Sequence, residues 1–241
     1  MSDPIRLSKR LAEQLGCSRR EAELYIEGGW VSVDEQIVET PHLKVDPAQR
    51  VELRAGAVAE QANPVTLLLH KPVGLPSAAD PADAQQQLLG ASHWAQDPSG
   101  EKPRQRHFAR HTLLLPLDPE ASGLEVFSQQ RDVIRKLDDP RDKLEQEFVV
   151  EVAGEPEANG LALLAKGIGH RGRILPMAKA SWQSEHRLRM VLKGPQPGDI
   201  RQLCEAIGLR MLSCKRIRIG RLSMAKLPVG EWRYLGEHER F

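Results

Sequence analysis

The sequence predicts an α+β chain in two parts. A small N-terminal domain of two helices and a short sheet spans residues 1–60. A larger domain over residues 65–241 is built on a mixed or largely antiparallel β-sheet with flanking helices. Three observations carry this. Leucines at four-residue spacing and a helix-capping pattern fill residues 5–30, and short alternating apolar runs close that unit by Leu53. From Val65 onward, apolar runs of strand length dominate, with helical segments interspersed rather than strictly alternating.

Leu7, Leu11 and Leu15 lie on one face of a first helix that stops at Gly16. Ser18 is an N-cap with Glu21 three residues on, the pattern of a capping box. The second helix carries Ala22, Tyr25 and Ile26 on one face and ends at Gly28-Gly29. Val31–Val33 and Gln36–Val38, split by Asp34-Glu35, form a hairpin, and Val45 and Val51–Leu53 add strand. Ala55–Asn63 is a linker. Val65–Leu69 is an apolar strand running into the turn Lys71-Pro72-Val73-Gly74. Ser77–Arg106 is a short helix and a loop. Leu113–Leu115, Leu124–Phe127, Phe148–Val152, Arg189–Leu192 and Leu212–Ile219 are strands, Ile200–Ile207 is a helix, and residues 227–235 close the sheet with Trp232 and Leu235 inward.

The 241 residues carry 34 Lys+Arg against 33 Asp+Glu, a net charge of +1, with 40% hydrophobic and 28% charged residues. That balance suits a globular chain and excludes long disorder. No apolar run approaches the ~18 residues of a membrane span, and no short apolar signal precedes the first helix. Cys17, Cys204 and Cys214 form no CxxC pair, which points to reduced thiols in a cytoplasm. The eight histidines have no metal-ligand spacing. Charge is nonetheless segregated. Between Arg187 and Lys226 ten basic residues, Arg216 and Arg218 among them, face two acids, Asp199 and Glu205. Lys102, Arg104, Arg106 and Arg110 form a second cluster with His107 and His111. Segregation of this kind favours a polyanion partner.

In the first unit, Lys9 and Arg10 fall late on the first helix, and Arg19 and Arg20 open the second beside Ser18. Unpaired N–H groups and the positive dipole end there suit a phosphate. The run "RLSKRLAEQLGCSRREAELYIEGGWVSVDEQIV" resembles the S4 domain, an RNA-binding module, from Ile5 to about Leu53. The resemblance implies that Arg6, Lys9, Arg10, Ser18, Arg19 and Arg20 face structured RNA through phosphate and shape.

In the second unit, Asp118 sits between two apolar runs on a loop stemmed by strands, and Arg201 opens a helix in the most basic stretch. An Arg201–Asp118 pair would keep the carboxylate ionised when substrate desolvates it. "LLLHKPVG" (67–74), "PLDPEASGLEVFS" (116–128), "EQEFVVEV" (145–152) and residues 200–235 resemble, in order, the motifs of RNA pseudouridine synthases that carry an N-terminal S4 domain and modify single uridines in ribosomal RNA. The resemblance implies a uridine isomerisation without cofactor or metal. Asp118 would be the catalytic aspartate, Arg201 its charge partner, and Phe148 the base-stacking residue. Flipping the uridine is expected, since a stacked base is out of reach. Arg104, Arg106, Arg110, Arg216 and Arg218 are candidates for holding the RNA. Lys71 shapes the first turn or contacts phosphate. Ribosomal RNA is the expected partner and transfer RNA the alternative.

Three departures bear on activity. Leu115-Pro116 replaces the family's Gly-Arg, and Phe148 replaces a tyrosine, keeping a stacking surface worth ~1–3 kcal/mol per base but no hydroxyl. Pro197-Gly198-Asp199 replaces Asn-Arg-Gln, and Asp199 is expected to weaken phosphate attraction or recast the pocket. They motivate the alternative of a synthase scaffold that binds RNA without turnover.

Overall fold

The computed structural model describes residues 4–60, 63–77, 83, 86–88, 91–108, 110–139 and 144–241. The chain divides into two units: Met1–Pro64 with Glu101–Ala109, and Val65–Gly100 with Arg110–Phe241. The first therefore includes a segment that the sequence reading placed inside the larger domain.

In the first unit, β1 (Ile5–Arg6) leads into α1 (Leu7–Leu15), which ends at Gly16 with φ +66° and the Gly16 N–H on the Ala12 carbonyl. A left-handed residue there releases the chain from the helix at little cost only if it is glycine. Ser18 caps α2 (Arg19–Glu27), its Oγ accepting the Glu21 N–H at 3.1 Å. β2 (Val31–Val33) pairs antiparallel with β3 (Gln36–Ile37) and β5 (Val51–Leu53). Asp34 and Glu35 both take positive φ, as a two-residue hairpin turn demands. β4 (Lys44–Val45) pairs with β1, a strand the sequence reading assigned to helix. Leu7, Leu11, Ala22, Ile26, Val31, Val45 and Val51 form the core.

In the second unit, β6 (Thr66–Lys71) is buried along its whole length. It is followed by β7 (Ser92–His93), β8 (Thr112–Leu114), β9 (Ala121–Ser128) and α3 (Arg131–Asp138). Then come β10 (Glu145–Ala153), α4 (Gly160–Lys166), the hairpin β11 (Gly169–His170) and β12 (Arg173–Ile174), β13 (Ala178–Ser184) and β14 (Arg187–Lys193). α5 (Asp199–Glu205), β15 (Arg210–Ile219), β16 (Leu222–Ser223) and β17 (Glu231–Tyr234) complete it. The large sheet runs β13-β14-β10-β15-β9-β6-β17-β7, with β16 on β15 and β8 on β9. Its pairs are antiparallel except β15–β9 and β17–β7. The short helix expected between Ser77 and Arg106 falls largely outside the described residues.

Two apolar clusters pack on this sheet. One joins Phe148, Val150, Leu188 and Met190 to Leu203, Cys204 and Ile207 of the α5 region. The other joins Leu68, Leu124 and Val126 to Ile219, Leu222 and Phe241. β9 meets β15 so closely at Gly123 that a Cβ would lie 2.2 Å from the Arg216 carbonyl oxygen. Only glycine permits that crossing. Trp232 is enclosed and Leu235 partly so, as expected of the closing strand.

Buried polar groups are concentrated where β6 ends. His70 is 2% exposed; its Nδ1 lies 2.7 Å from the Leu227 carbonyl, and its Nε2 has no hydrogen-bond partner among the described residues. A carbonyl only accepts, so Nδ1 carries the proton. Burial first, and the nearby Lys215 cation, push the imidazole below its usual value against the help of the Leu227 carbonyl. The folded chain therefore resists protonation that the unfolded chain accepts near pH 6.5. Stability is complete above about pH 6.5 and falls as the pH drops below it. In urea unfolding between pH 7.5 and 5, His70→Gln flattens this decline; an unchanged profile would place its cause elsewhere.

Candidate active site and the RNA-binding unit

Asp118 lies on the loop between β8 and β9, and the backbone around it is fixed from several sides. The Leu117 N–H donates to Ser77 Oγ at 2.9 Å and to Glu125 Oε1 at 3.2 Å. The Pro119 carbonyl accepts the Gly74 N–H at 2.8 Å and Lys71 Nζ at 3.3 Å. The Asp118 carbonyl takes the Ala121 N–H. Leu115, at φ +53°, gives its carbonyl to Arg216 Nη2 at 2.6 Å. A carboxylate on so constrained a loop needs little reorganisation to hold one geometry. Its Oδ2 accepts the Gly198 N–H at 2.9 Å.

Gly198 belongs to the tripeptide that departs from the family pattern, and its left-handed φ of +85° starts α5. The departure thus supplies a backbone donor to the carboxylate. Asp199 is turned into the protein rather than toward a phosphate. It is 1% exposed, with Oδ1 on Arg173 Nη2 at 2.6 Å and Oδ2 on the Gln196 N–H at 2.8 Å. Its charge is spent inside the turn that presents Gly198.

The structure does not form the expected Asp118–Arg201 pair. Arg201 forks onto Glu120, two residues beyond Asp118, with Nε 2.7 Å from Oε1 and Nη2 on Oε2. The two side chains are 43% and 42% exposed, so the pair contributes only about 0–1 kcal/mol to stability. Phe148 is likewise not an open stacking surface. It is 3% exposed, in one cluster with Leu117, Ala121 and Ile200, and so underlies the residues flanking Asp118 and Arg201.

Lys71 is fully enclosed rather than available to phosphate. Nζ donates to the carbonyls of Leu75 at 2.5 Å, Pro72 at 3.1 Å and Pro119 at 3.3 Å. Burial holds its ammonium below the usual lysine value, opposed by the charges of Glu125 and Asp118. Arg216 is enclosed too, bonded to the Leu124 carbonyl, Gln146 Oε1 and the Leu115 carbonyl. Burial pulls it down to about 10, with the Glu125 carboxylate opposing.

Arg218 pairs with Glu147 Oε2 at 2.6 Å, and Arg189 holds the other oxygen at 2.5 Å. Two residues apart on β15, Arg216 and Arg218 would share a face in a regular ladder. Glu147 pairs with Arg218 and the next residue, Phe148, with Arg216, so a bulge at Ile217 sends the two arginines to opposite faces.

The basic segment at 102–110 also divides. A 3-10 turn at Gln105–Phe108 belongs to the N-terminal unit, with Glu27 and Glu39 in electrostatic reach of the half-buried Arg106. Lys102 is exposed and Arg104 half-buried, whereas Arg110 is exposed in the second unit. His107 and His111 are buried. In the N-terminal unit Arg6, Lys9, Ser18, Arg19 and Arg20 are exposed. Lys9 reaches Glu13 at 3.9 Å and Arg20 reaches Glu23 at 3.7 Å, loose pairs that a phosphate can displace. Arg10 differs, since its guanidinium donates to the carbonyls of Asp46, Pro47 and Gln49 and so fixes that loop. Among the described residues no group of three or more His, Cys, Asp or Glu could hold a metal ion, and no helix is long and apolar enough to cross a membrane.

One unit carries a carboxylate braced on a strand-stemmed loop and the other a basic helix pair, an arrangement that suits an enzyme domain joined to an RNA-binding module. Residues 5–51 match the S4 domain model. Over 98% of its length the chain is 26% identical to the dual-specificity RNA pseudouridine synthase RluF of Escherichia coli strain K12, spanning 77% of that protein. Over 97% of its length it is 29% identical to the ribosomal large subunit pseudouridine synthase B of Bacillus subtilis strain 168, spanning 93% of it. A crystal structure of a pseudouridylate synthase shares the fold, with TM-score 0.60 and 20% identity over 97% of this chain and 96% of that one. The chain thus carries an S4 domain at residues 5–51 and is similar over nearly its whole length to RNA pseudouridine synthases.

Lys71→Met removes the hub of three carbonyls and strips Glu125 of a counter-charge. It is expected to lower the unfolding free energy by about 3–5 kcal/mol in urea titrations. RNA affinity of the folded variant stays at the wild-type value; a salt-dependent loss of affinity would restore Lys71 as a phosphate contact.

Proposed function

We propose that the protein converts a uridine in structured ribosomal RNA to pseudouridine. The bond from the sugar's anomeric carbon to N1 of uracil breaks, the base turns, and a new bond forms to C5, which gives up its proton to water while N1 takes one up. Asp118 attacks the anomeric carbon or the base, and the uridine leaves its stack to reach it at a cost of a few kcal/mol. The observation that carries this reading is the bracing of Asp118, whose flanking N–H and carbonyl are both tied down while Gly198 orients one carboxylate oxygen. The reaction calls on no metal or organic cofactor. Arg201 meets the RNA at the site's rim, and similarity to a ribosomal large subunit pseudouridine synthase of Bacillus subtilis supports ribosomal RNA as the substrate, met in the cytoplasm.

RNA bearing tritium at uridine C5 tests this directly. Ribosomal and transfer RNA are taken from cells lacking the gene. Wild-type protein releases tritium from ribosomal RNA, and Asp118→Asn lowers release by roughly 10⁴-fold or more. Tight binding of either RNA without release would instead identify a scaffold that grips RNA and does no chemistry.

The exposed cations of the helix pair supply phosphate contacts. Arg19→Gln with Arg20→Gln weakens binding to all RNA sequences alike and reduces the slope of log K against log salt by about 2. An unchanged slope would remove these two residues from the interface.

A further inference from the structure

We propose that one end of the large sheet holds a pocket for an unpaired guanine of the RNA. The proposal rests on the reading of RNA as the substrate, and it gives that RNA a base contact apart from the target uridine. A cavity of about 350 Å³ opens there, with Glu151, Ala153, Ser184, Arg187 and Leu212 in its wall. Two β-bulges build it. Leu212 is the extra residue on β15 between the partners of Glu151 and Val152, and Gln183 is the extra residue on β13 beside the pairing of Ser184 with Arg187. Bulges re-aim side chains, and the first leaves Leu212 53% exposed, an aliphatic surface open to solvent. Glu151 and Arg187 are direct partners across β10 and β14, on the sheet face away from the cluster that takes Val150, Val152 and Leu188. Arg187 Nη2 donates to Glu151 Oε1 at 2.8 Å, and Ser213 Oγ donates to Oε2 at 3.1 Å. Each carboxylate oxygen keeps accepting capacity, and the other N–H donors of Arg187 have no hydrogen-bond partner among the described residues.

A carboxylate beside a guanidinium, next to an aliphatic wall, matches one base edge best. Guanine brings two donors, N1–H and the N2 amino group, to the two carboxylate oxygens and its O6 to the arginine. Adenine and cytosine offer the carboxylate one amino group, and uracil sets a carbonyl on each side of its single N–H. Arg189, two residues on along the same face of β14, commits Nε to Glu147 and is 44% exposed, which suits the phosphate of that nucleotide.

The test is a titration of the full chain, read by amide NMR, with the 5′-monophosphates of guanosine, adenosine, cytidine and uridine and with ribose 5-phosphate. The guanosine nucleotide is expected to shift the Ala153, Gly154 and Leu212 amides at a concentration about tenfold lower than any other probe. Leu212→Asn and Arg187→Gln each remove that preference, and because both side chains are about half exposed the melting temperature holds. In tritium release from ribosomal RNA both variants raise KM several-fold with kcat unchanged, the mark of binding shared by ground and transition states. Equal response to all five probes, silent amides, or a wild-type KM in both variants would overturn the guanine pocket and leave Asp118 as nucleophile intact. Guanosine preference in a protein that releases no tritium would uphold the pocket while the proposed isomerisation falls.

Discussion

An arginine sealed from water at the centre of the large sheet is the constraint on which the site depends. Arg216 bonds the Leu124 carbonyl on β9, the Gln146 side chain on β10 and the Leu115 carbonyl at the start of the Asp118 loop. One rigid fork thereby sets two strands and one loop in register. An isolated cation there would cost several kcal/mol. The enclosed Glu125 lies close to both Arg216 and Lys71, and most of the donors in this group reach a carbonyl. The cluster is tolerable because it is almost fully satisfied, and it is stiff for the same reason.

That stiffness explains how the chain differs from its family pattern without losing the site's frame. Pro116 and Gly198 replace arginines, yet the loop on each side of Asp118 is held by groups outside those positions: Ser77, Gly74, Lys71 and Arg216. Gly198 gives the carboxylate a backbone donor, and the acid that follows it is consumed by Arg173. At Asp118 a main-chain N–H thus takes the place expected of the Arg201 side chain.

Much of the fold was legible because its signals are local. Gly16, Ser18 and the leucine spacing define the helix pair, and Asp34-Glu35 defines the hairpin. β1 was missed because two residues take their strand character from Lys44 and Val45, far along the chain. α3 was missed because only Val133, Ile134 and Leu137 interrupt a charged run. β13 was missed as an edge strand whose residues are mostly exposed and therefore show no apolar alternation. At the site, the family resemblance paired Arg201 with Asp118, whereas the arginine takes Glu120, two residues further along the same loop. The run of basic residues misled for a geometric reason. A bulge at Ile217 separates Arg216 from Arg218, and no composition records a bulge.

The crossing of β9 with β15 at Gly123 also sets a timetable. Leu124 and Arg216 are 92 residues apart, so the brace behind Asp118 waits for nearly the whole chain to leave the ribosome, on the order of ten seconds after β9 itself. The helix pair and its small sheet draw their whole apolar core from the first quarter of the polypeptide. During biosynthesis the core of the S4 domain is therefore complete first, and the frame around Asp118 last.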